Sequence, residues 1–195
     1  MIVGLGTGSK VAYLLPALAG GRLNVRWVSS SPATERVARD LGMQIESFIG
    51  PEAPDRLDLT IDGADQATPS GWLVKGGGGA HTREKALAAA ADRFVVIVSS
   101  NKLVRRPAPP VPLELLDYGL AATLARLGRV RLRDAPRSPD GGVLGDYLGD
   151  IDDPNATAVR LSRTTGVIEH GLFPPTLVSA ILVARGDHLD RIEPP

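Results

Sequence analysis

The sequence contains no cysteine, which rules out disulfides, thiolate chemistry and Cys-ligated zinc and fits a reducing compartment. Excess charge is absent too. Lysine plus arginine and aspartate plus glutamate number 22 each, so the formal net charge is zero and no overall field draws in a polyanion. Nucleic acid is therefore not an expected partner. Nor is there a long hydrophobic run at the start: Met1 leads straight into Ile2-Val3-Gly4-Leu5-Gly6, with no basic leader and too little length for a signal peptide or membrane span. The expectation is a soluble cytoplasmic protein without a membrane partner. His81, His170 and His188 show no metal-ligand spacing, so no metal is expected. Repeats and low-complexity tracts are missing as well.

What is present is an alternation. Short apolar runs (Ile2 to Leu5, Val25 to Val28, Leu57 to Ile61, Trp72 to Val74, Phe94 to Val98) are interleaved with segments of helical period (Val11 to Leu18, Thr34 to Leu41, Thr82 to Ala91). That order predicts parallel strands joined by crossover helices. Pro16 predicts a kink or early end in the first helix. From Arg105 to Pro112 four prolines fall within six residues, which forbids a helix and marks an extended linker. Beyond it the pattern predicts a helix over 113–127, strands at 130–133 and 143–148, a helix after Asp153-Pro154 and a strand near 167–173. The run Leu177 to Val183 reads as a strand returning to the first lobe. The expected fold class is α/β: a Rossmann-like parallel-sheet lobe (1–109 and 175–195) with a smaller α+β, ferredoxin-like lobe (110–174).

In open parallel sheets ligands gather at the carboxyl ends of strands, where loops converge and helix N-termini point inward. Four such loops carry unusual residues. Gly4-Leu5-Gly6-Thr7-Gly8-Ser9-Lys10 is a glycine-rich turn whose amides and hydroxyls can cradle a phosphate; it has neither Walker spacing nor the third glycine of the dinucleotide fingerprint. Asp62-Gly63-Ala64-Asp65 sets two carboxylates at a strand exit, suited to sugar hydroxyls or to an ordinary polar turn. Lys75-Gly76-Gly77-Gly78-Gly79 has four consecutive glycines, which fit a close approach of backbone to ligand. After them Thr82 reads as an N-cap, placing Glu84 in the first helical turn. Ser99-Ser100-Asn101-Lys102 adds a cation at the same edge.

In this order and spacing the motifs Gly-Thr-Gly-Ser, Asp-Gly-Ala-Asp, Lys-Gly-Gly-Gly and Thr-Arg-Glu-Lys resemble the ribose-5-phosphate isomerase A family. The similarity runs on through Ser30 to Leu41 and into Gly166-Val167 and Gly171-Leu172-Phe173. The resemblance implies interconversion of ribose 5-phosphate and ribulose 5-phosphate in the pentose phosphate pathway, with no cofactor and no metal. It implies that Thr7, Gly8, Ser9, Lys10 and Lys102 hold the sugar phosphate, and that Gly63, Ala64, Gly76, Gly77 and Gly78 line the substrate. Glu84 matches the general base, Lys75 the electrophile that stabilises the enediolate, Asp65 a group for ring opening or proton passing, and Asp62 one that positions hydroxyls. The family implies a homodimer or homotetramer.

Three positions depart from the family pattern: Lys10 for a threonine, Gln66 for a glutamate and His81 for an apolar residue. The family also has a helix of about five turns, about 27 Å long, before the first strand. A neighbouring chain or the C-terminal tail is expected to cover the surface beside Ile2 to Leu5 in its place. These departures keep two other readings open: a weakly active or non-catalytic phosphosugar sensor, and an isomerase for another phosphosugar. Arg126, Arg129, Arg131, Arg133 and Arg137 read as surface charge, the alternation of Arg129, Arg131 and Arg133 with Val130 and Leu132 marking a solvated strand face.

Overall fold

The computed structural model describes residues 1–21 and 23–194; Arg22, and Pro195 at the end of the expected first lobe, lie outside the described residues. The first strand, β1 (Ile2–Leu5), buries Val3, Gly4 and Leu5 in succession, so both its faces are covered, as inside a parallel sheet. The chain then forms α1 (Ser9–Gly20), β2 (Arg26–Ser29), α2 (Pro32–Asp40), β3 (Ile45–Glu46), β4 (Leu59–Gly63), β5 (Gln66–Ala67), β6 (Leu73–Val74), α3 (His81–Ala90) and β7 (Phe94–Ser99). It continues through β8 (Val111–Leu115), α4 (Leu120–Leu127), β9 (Val130–Leu132), β10 (Val143–Tyr147), α5 (Pro154–Ser162), β11 (Val167–His170), β12 (Leu172–Phe173), β13 (Ala180–Arg185) and β14 (His188–Ile192).

Seven strands make the main sheet, in the order β14-β13-β7-β4-β1-β2-β3, parallel except for the β13–β14 hairpin. The strand order reverses at β1, which has β2 on one side and β4 on the other. Loops leaving β1 and β4 therefore part and open a crevice. A separate antiparallel sheet, β11-β8-β10-β9, packs its apolar side chains with those of α4 and α5. Between these units lies a short antiparallel sheet, β12-β6-β5. Its two-residue period sends Leu73 and Phe173 into the main-sheet core, and Val74 and Leu172 into the core of the four-stranded sheet. The expected mixed α/β class, with a parallel core and a separate antiparallel sheet, is what the chain forms. Among the described residues no helix is long and apolar enough to cross a membrane.

Several local expectations are overturned. Trp72 to Val74 does not join the parallel sheet, because Leu73 and Val74 pair antiparallel with Phe173 and Leu172. Residues 113–127 are not one helix: Val111–Leu115 is the buried strand β8, and α4 starts only after Gly119, at φ 73°. A buried apolar run reads alike as helix or strand, and here pairing with β10 and β11 decides. The first helix passes Pro16 and ends at Gly20. Pro16 and Ala12 are both exposed, so the Ala12 carbonyl deprived of its helical donor faces water. The C-terminal tail does not cover β1, since β14 sits at the far edge of the sheet. Leu87 of α3 and Phe48 pack beside Ile2, Val28 and Leu57 instead. Gln66 has a structural use: its amide exchanges two hydrogen bonds with the backbone of Ala108 (2.8 and 2.9 Å), clasping the proline-rich segment, where a glutamate could not donate.

Candidate active site

The turn after β1 is shaped by what lies beneath it. A Cβ on Gly6 would fall 1.8 Å from the Asp62 carboxyl carbon, so only glycine lets the two strands' ends close up. That closeness brings the Thr7 amide to Asp62 Oδ1 at 3.1 Å, while the Gly63 amide donates to the same oxygen at 2.7 Å. The helix that follows begins at Gly8 without a side-chain cap and without an acidic residue in its first turn. Its leading N–H groups and positive dipole end therefore face the crevice unneutralised, the arrangement that binds a phosphate. Ser9 and Lys10 are exposed at this mouth, and the Thr7 hydroxyl is fixed by Ser30 Oγ at 2.8 Å.

Deeper in, three ionisable groups meet. Lys75 is 2% exposed, Glu84 3% and Asp62 0%. Lys75 Nζ lies 2.7 Å from Asp62 Oδ2 and 3.2 Å from Glu84 Oε2, and donates to the Gly63 carbonyl at 2.5 Å. Of these three neighbours the Gly63 carbonyl accepts a hydrogen bond from the ammonium, while Asp62 Oδ2 and Glu84 Oε2 are ion-pair contacts that have no hydrogen-bond donor among the described residues. Burial opposes the Lys75 charge, but Asp62 and Glu84 outweigh it and hold its pKa above the usual lysine value. For Glu84 the balance goes the other way. Burial, reinforced by the nearby Asp62 and Asp65 charges, outweighs the pull of Lys75 and pushes its pKa up to about 7. A carboxyl so poised accepts and returns a proton near neutrality.

Glu84 arrives by a route slightly different from that expected. The cap of α3 is Ala80, not Thr82, and the helix begins at His81. Thr82 instead turns its hydroxyl onto the Glu114 carboxylate, and Ala80 at the cap position has no side-chain acceptor to offer. Glu84 still lies in the first turn. His81 is fully buried, with Nε2 3.4 Å from the Glu169 carbonyl, no partner for Nδ1, and a pKa pushed down to about 4 by burial. It is neutral and stands behind the glycine loop, where Gly76, at φ 103°, leaves no room for a Cβ.

One cleft of about 150 Å³ collects these loops. It is lined by Thr7, Gly8, Ser9, Lys10, Gly63, Ala64, Asp65, Lys75, Gly76, Gly77, Gly78, Glu84 and Lys102. Of the residues to which the resemblance assigns a catalytic or substrate-binding role only Asp62 is missing from that lining: it lies beneath the cleft, paired with Lys75 and bonded to two amides. Asp65 is exposed at the rim, where its Oδ2 accepts the Gly77 amide at 2.8 Å. Lys102 reaches the cleft from the short helical turn after β7. Sequence reasoning missed Arg133. It is not on a solvated face: its guanidinium bonds Asp146 and the carbonyls of Gly76 and Gly77. Nothing local in the alternation of Arg129, Arg131 and Arg133 with Val130 and Leu132 marks that contact. Among the described residues no cluster of His, Asp and Glu is arranged to hold a metal.

Fold and cleft together define an α/β protein of a particular class, in which an uncapped helix N-terminus opens at a sheet switch point beside a buried carboxyl–ammonium pair. The chain belongs to the ribose 5-phosphate isomerase A (phosphoriboisomerase A) family, whose profile matches residues 26–188. It is 40% identical over 197 residues to the ribose-5-phosphate isomerase A of a Caulobacter species, covering 93% of this chain and 86% of that one. The crystal structure of ribose 5 phosphate isomerase A from Neisseria gonorrhoeae superposes with a TM-score of 0.92 at 27% identity, over 100% of this chain and 89% of the other. A D-ribose-5-phosphate isomerase structure in complex with phospho-erythronic acid matches at a TM-score of 0.89 and 30% identity, over 99% and 90% of the two chains.

Proposed function

We propose that this chain interconverts ribose 5-phosphate and ribulose 5-phosphate through an enediolate. The observation that carries the reading is the Glu84 carboxyl, poised at about 7 and 3.2 Å from the Lys75 ammonium, inside a cleft whose other wall is an uncapped helix N-terminus. Family membership supports it. With the phosphate on the Thr7–Lys10 turn and Lys102, Glu84 takes the C2 proton of the open-chain aldose and the C1 oxygen gains the negative charge. Return of the proton to C1, with passage of the O2 proton to O1, completes the ketose. Asp65 at the rim is placed to open the ring or pass the proton between oxygens. As Glu84 becomes neutral its electrostatic hold on Lys75 weakens, leaving the ammonium charge to stabilise the enediolate oxygen. Asp62, under the floor, acts as a positioning residue that fixes Lys75.

The test is a coupled assay of ribose 5-phosphate conversion by the parent chain, with Glu84→Gln as background. Binding without conversion above that background defeats the enzyme reading in favour of a phosphosugar sensor. Lys102→Ala should raise KM about 10-fold or more, the size expected for one charged hydrogen bond, with kcat nearly unchanged; a fall confined to kcat would place Lys102 at the reacting carbons.

The pKa of Glu84 gives activity and stability opposite pH trends. Activity needs the ionised base, so kcat/KM should rise with pH through about 7. The folded carboxyl binds its proton more tightly than an unfolded one, whose pKa is about 4.3, so between those values the folded state holds the extra proton. Its contribution to stability is present below the lower value and is lost as pH rises towards about 7. Thermal melts should show Glu84→Gln gaining on the parent between pH 5 and 8; a constant difference would contradict the shift. We further propose a homodimer or homotetramer acting in the cytoplasm in the pentose phosphate pathway. The absence of cysteine fits that compartment, and the exposed Leu116 and Tyr118 fit self-association.

A further inference from the structure

The glycine loop that forms one wall of the cleft is held from outside the main sheet. Arg133, just past β9, donates Nη1 to the Gly76 carbonyl at 2.9 Å and to the Gly77 carbonyl at 3.3 Å. Its Nε and Nη2 are fixed on Asp146 Oδ1 at 3.1 and 2.7 Å. Neither partner is a surface charge: their side chains are 17% and 8% exposed. Arg131 also approaches Asp146, at 3.4 Å, but is 67% exposed. The fork geometry of the guanidinium lets one side chain hold a carboxylate and two carbonyls at once, which an ammonium on a flexible stem cannot do.

The direction of these bonds matters for the cleft. The Gly77–Gly78 peptide is trans, since among the described residues the cis peptide is Pro109–Pro110. In a trans peptide the carbonyl and the following N–H point opposite ways. Turning the Gly77 carbonyl onto Arg133 therefore turns the Gly78 N–H away from Arg133. Gly78 lines the cleft, and among the described residues its N–H has no protein acceptor. By the same rule the Gly76 carbonyl faces Arg133 while the Gly77 N–H meets Asp65. The loop closes on itself through the Gly79 amide, which donates to the Gly76 carbonyl at 3.0 Å.

We propose that Arg133, braced by Asp146, is a positioning residue for the isomerisation: by capturing the Gly76 and Gly77 carbonyls it sets the amides of the glycine loop for the substrate. This rests on the isomerase reading for its effect on turnover, but not for its effect on the loop. The competing role is simple docking of the four-stranded sheet against the main sheet, which would affect stability alone.

The test uses the full chain with Arg133→Met/Asp146→Asn, which removes both charges and so leaves no buried carboxylate unpaired. Amide deuterium exchange at Gly77 and Gly79, whose amides are hydrogen-bonded, should quicken about 10-fold or more, with exchange in β4 and β7 unchanged. In the coupled assay kcat should fall about 10- to 100-fold, as small misplacements of a reacting framework do, while the Kd for inorganic phosphate stays within about twofold. Should the double variant fail to fold, Asp146→Asn alone should show the same pattern at smaller amplitude. Unchanged exchange at Gly77 and Gly79 overturns the proposal, as does a fall in phosphate affinity and main-sheet protection that matches the fall in kcat. A parent chain that lacks isomerase activity while its loop still loosens in the variant defeats the enzyme reading and leaves the positioning of the loop standing.

Discussion

Glu84→Gln should lower kcat by about 100-fold or more while leaving the affinity for ribose 5-phosphate within a few-fold of the parent. General acid–base groups contribute about 10²- to 10⁴-fold, and Glu84 is the one carboxyl in the cleft both buried and shifted to about 7. Glutamine keeps the shape and volume of the side chain but cannot accept a proton from carbon. Affinity should change little because the proposed phosphate site, the Thr7–Lys10 turn with Lys102, is elsewhere in the cleft. A drop in kcat/KM arising wholly from KM would instead make Glu84 a binding group. Steady-state kinetics on the two proteins at pH 8, where the parent carboxyl is ionised, separates the cases.

Lys75→Met should have the largest effect on stability of any single change in the site. Its removal leaves Asp62, 0% exposed, without its counter-ion; two amides remain, on the other carboxyl oxygen. Breaking a buried pair from one side costs about 3–5 kcal/mol, here because Asp62, whose pKa burial already pushes up against the pull of Lys75, must stay charged without its counter-ion or take up a proton. Glu84 adds little to that cost, because without Lys75 it simply keeps its proton. Turnover should fall too, from loss of the enediolate's cation and of the charge that keeps Glu84 ionised near neutrality. Adding Asp62→Asn to Lys75→Met should restore most of the stability and none of the activity. Urea unfolding of the three proteins, set beside the coupled assay, reads both outcomes. Full stability in Lys75→Met alone would mean that the Asp62 carboxyl is neutral in the folded protein.

The site was legible in sequence because its residues lie in loops and each loop follows an apolar strand. Parallel strands place such loops at one edge, so Thr7, Asp65 and Lys102 could be brought together without knowing any strand's neighbours; Gly76 follows β6, which pairs antiparallel outside that sheet, so the expected parallel strand is not what brings it there. Depth was not legible. An aspartate at a strand exit reads the same whether it faces the cleft or lies under it, and Asp62 lies under it because Gly6 has no Cβ to hold the strands apart. The second half was read less well, since its elements are decided by pairing between distant segments. Val111–Leu115 could be helix or strand until β10 and β11 flank it. The pairing of Leu73 and Val74 with Phe173 and Leu172 spans about half the chain and leaves no periodic trace. Arg133 belongs to the same class: its partners Gly76 and Gly77 are brought to it by the docking of two sheets.

The central claim is that Glu84 moves a proton between C1 and C2, and the most direct measurement of it is isomerisation in deuterium oxide followed by NMR. A base-catalysed enediolate exchanges its carbon-bound proton with solvent, whereas transfer of hydride between the carbons does not. The expected result is deuterium accumulating at C1 of ribulose 5-phosphate and C2 of ribose 5-phosphate in step with turnover, with labelling and turnover both suppressed about 100-fold or more by Glu84→Gln. Labelling that proceeds in Glu84→Gln at the parent's rate would contradict the assignment of Glu84 as the base.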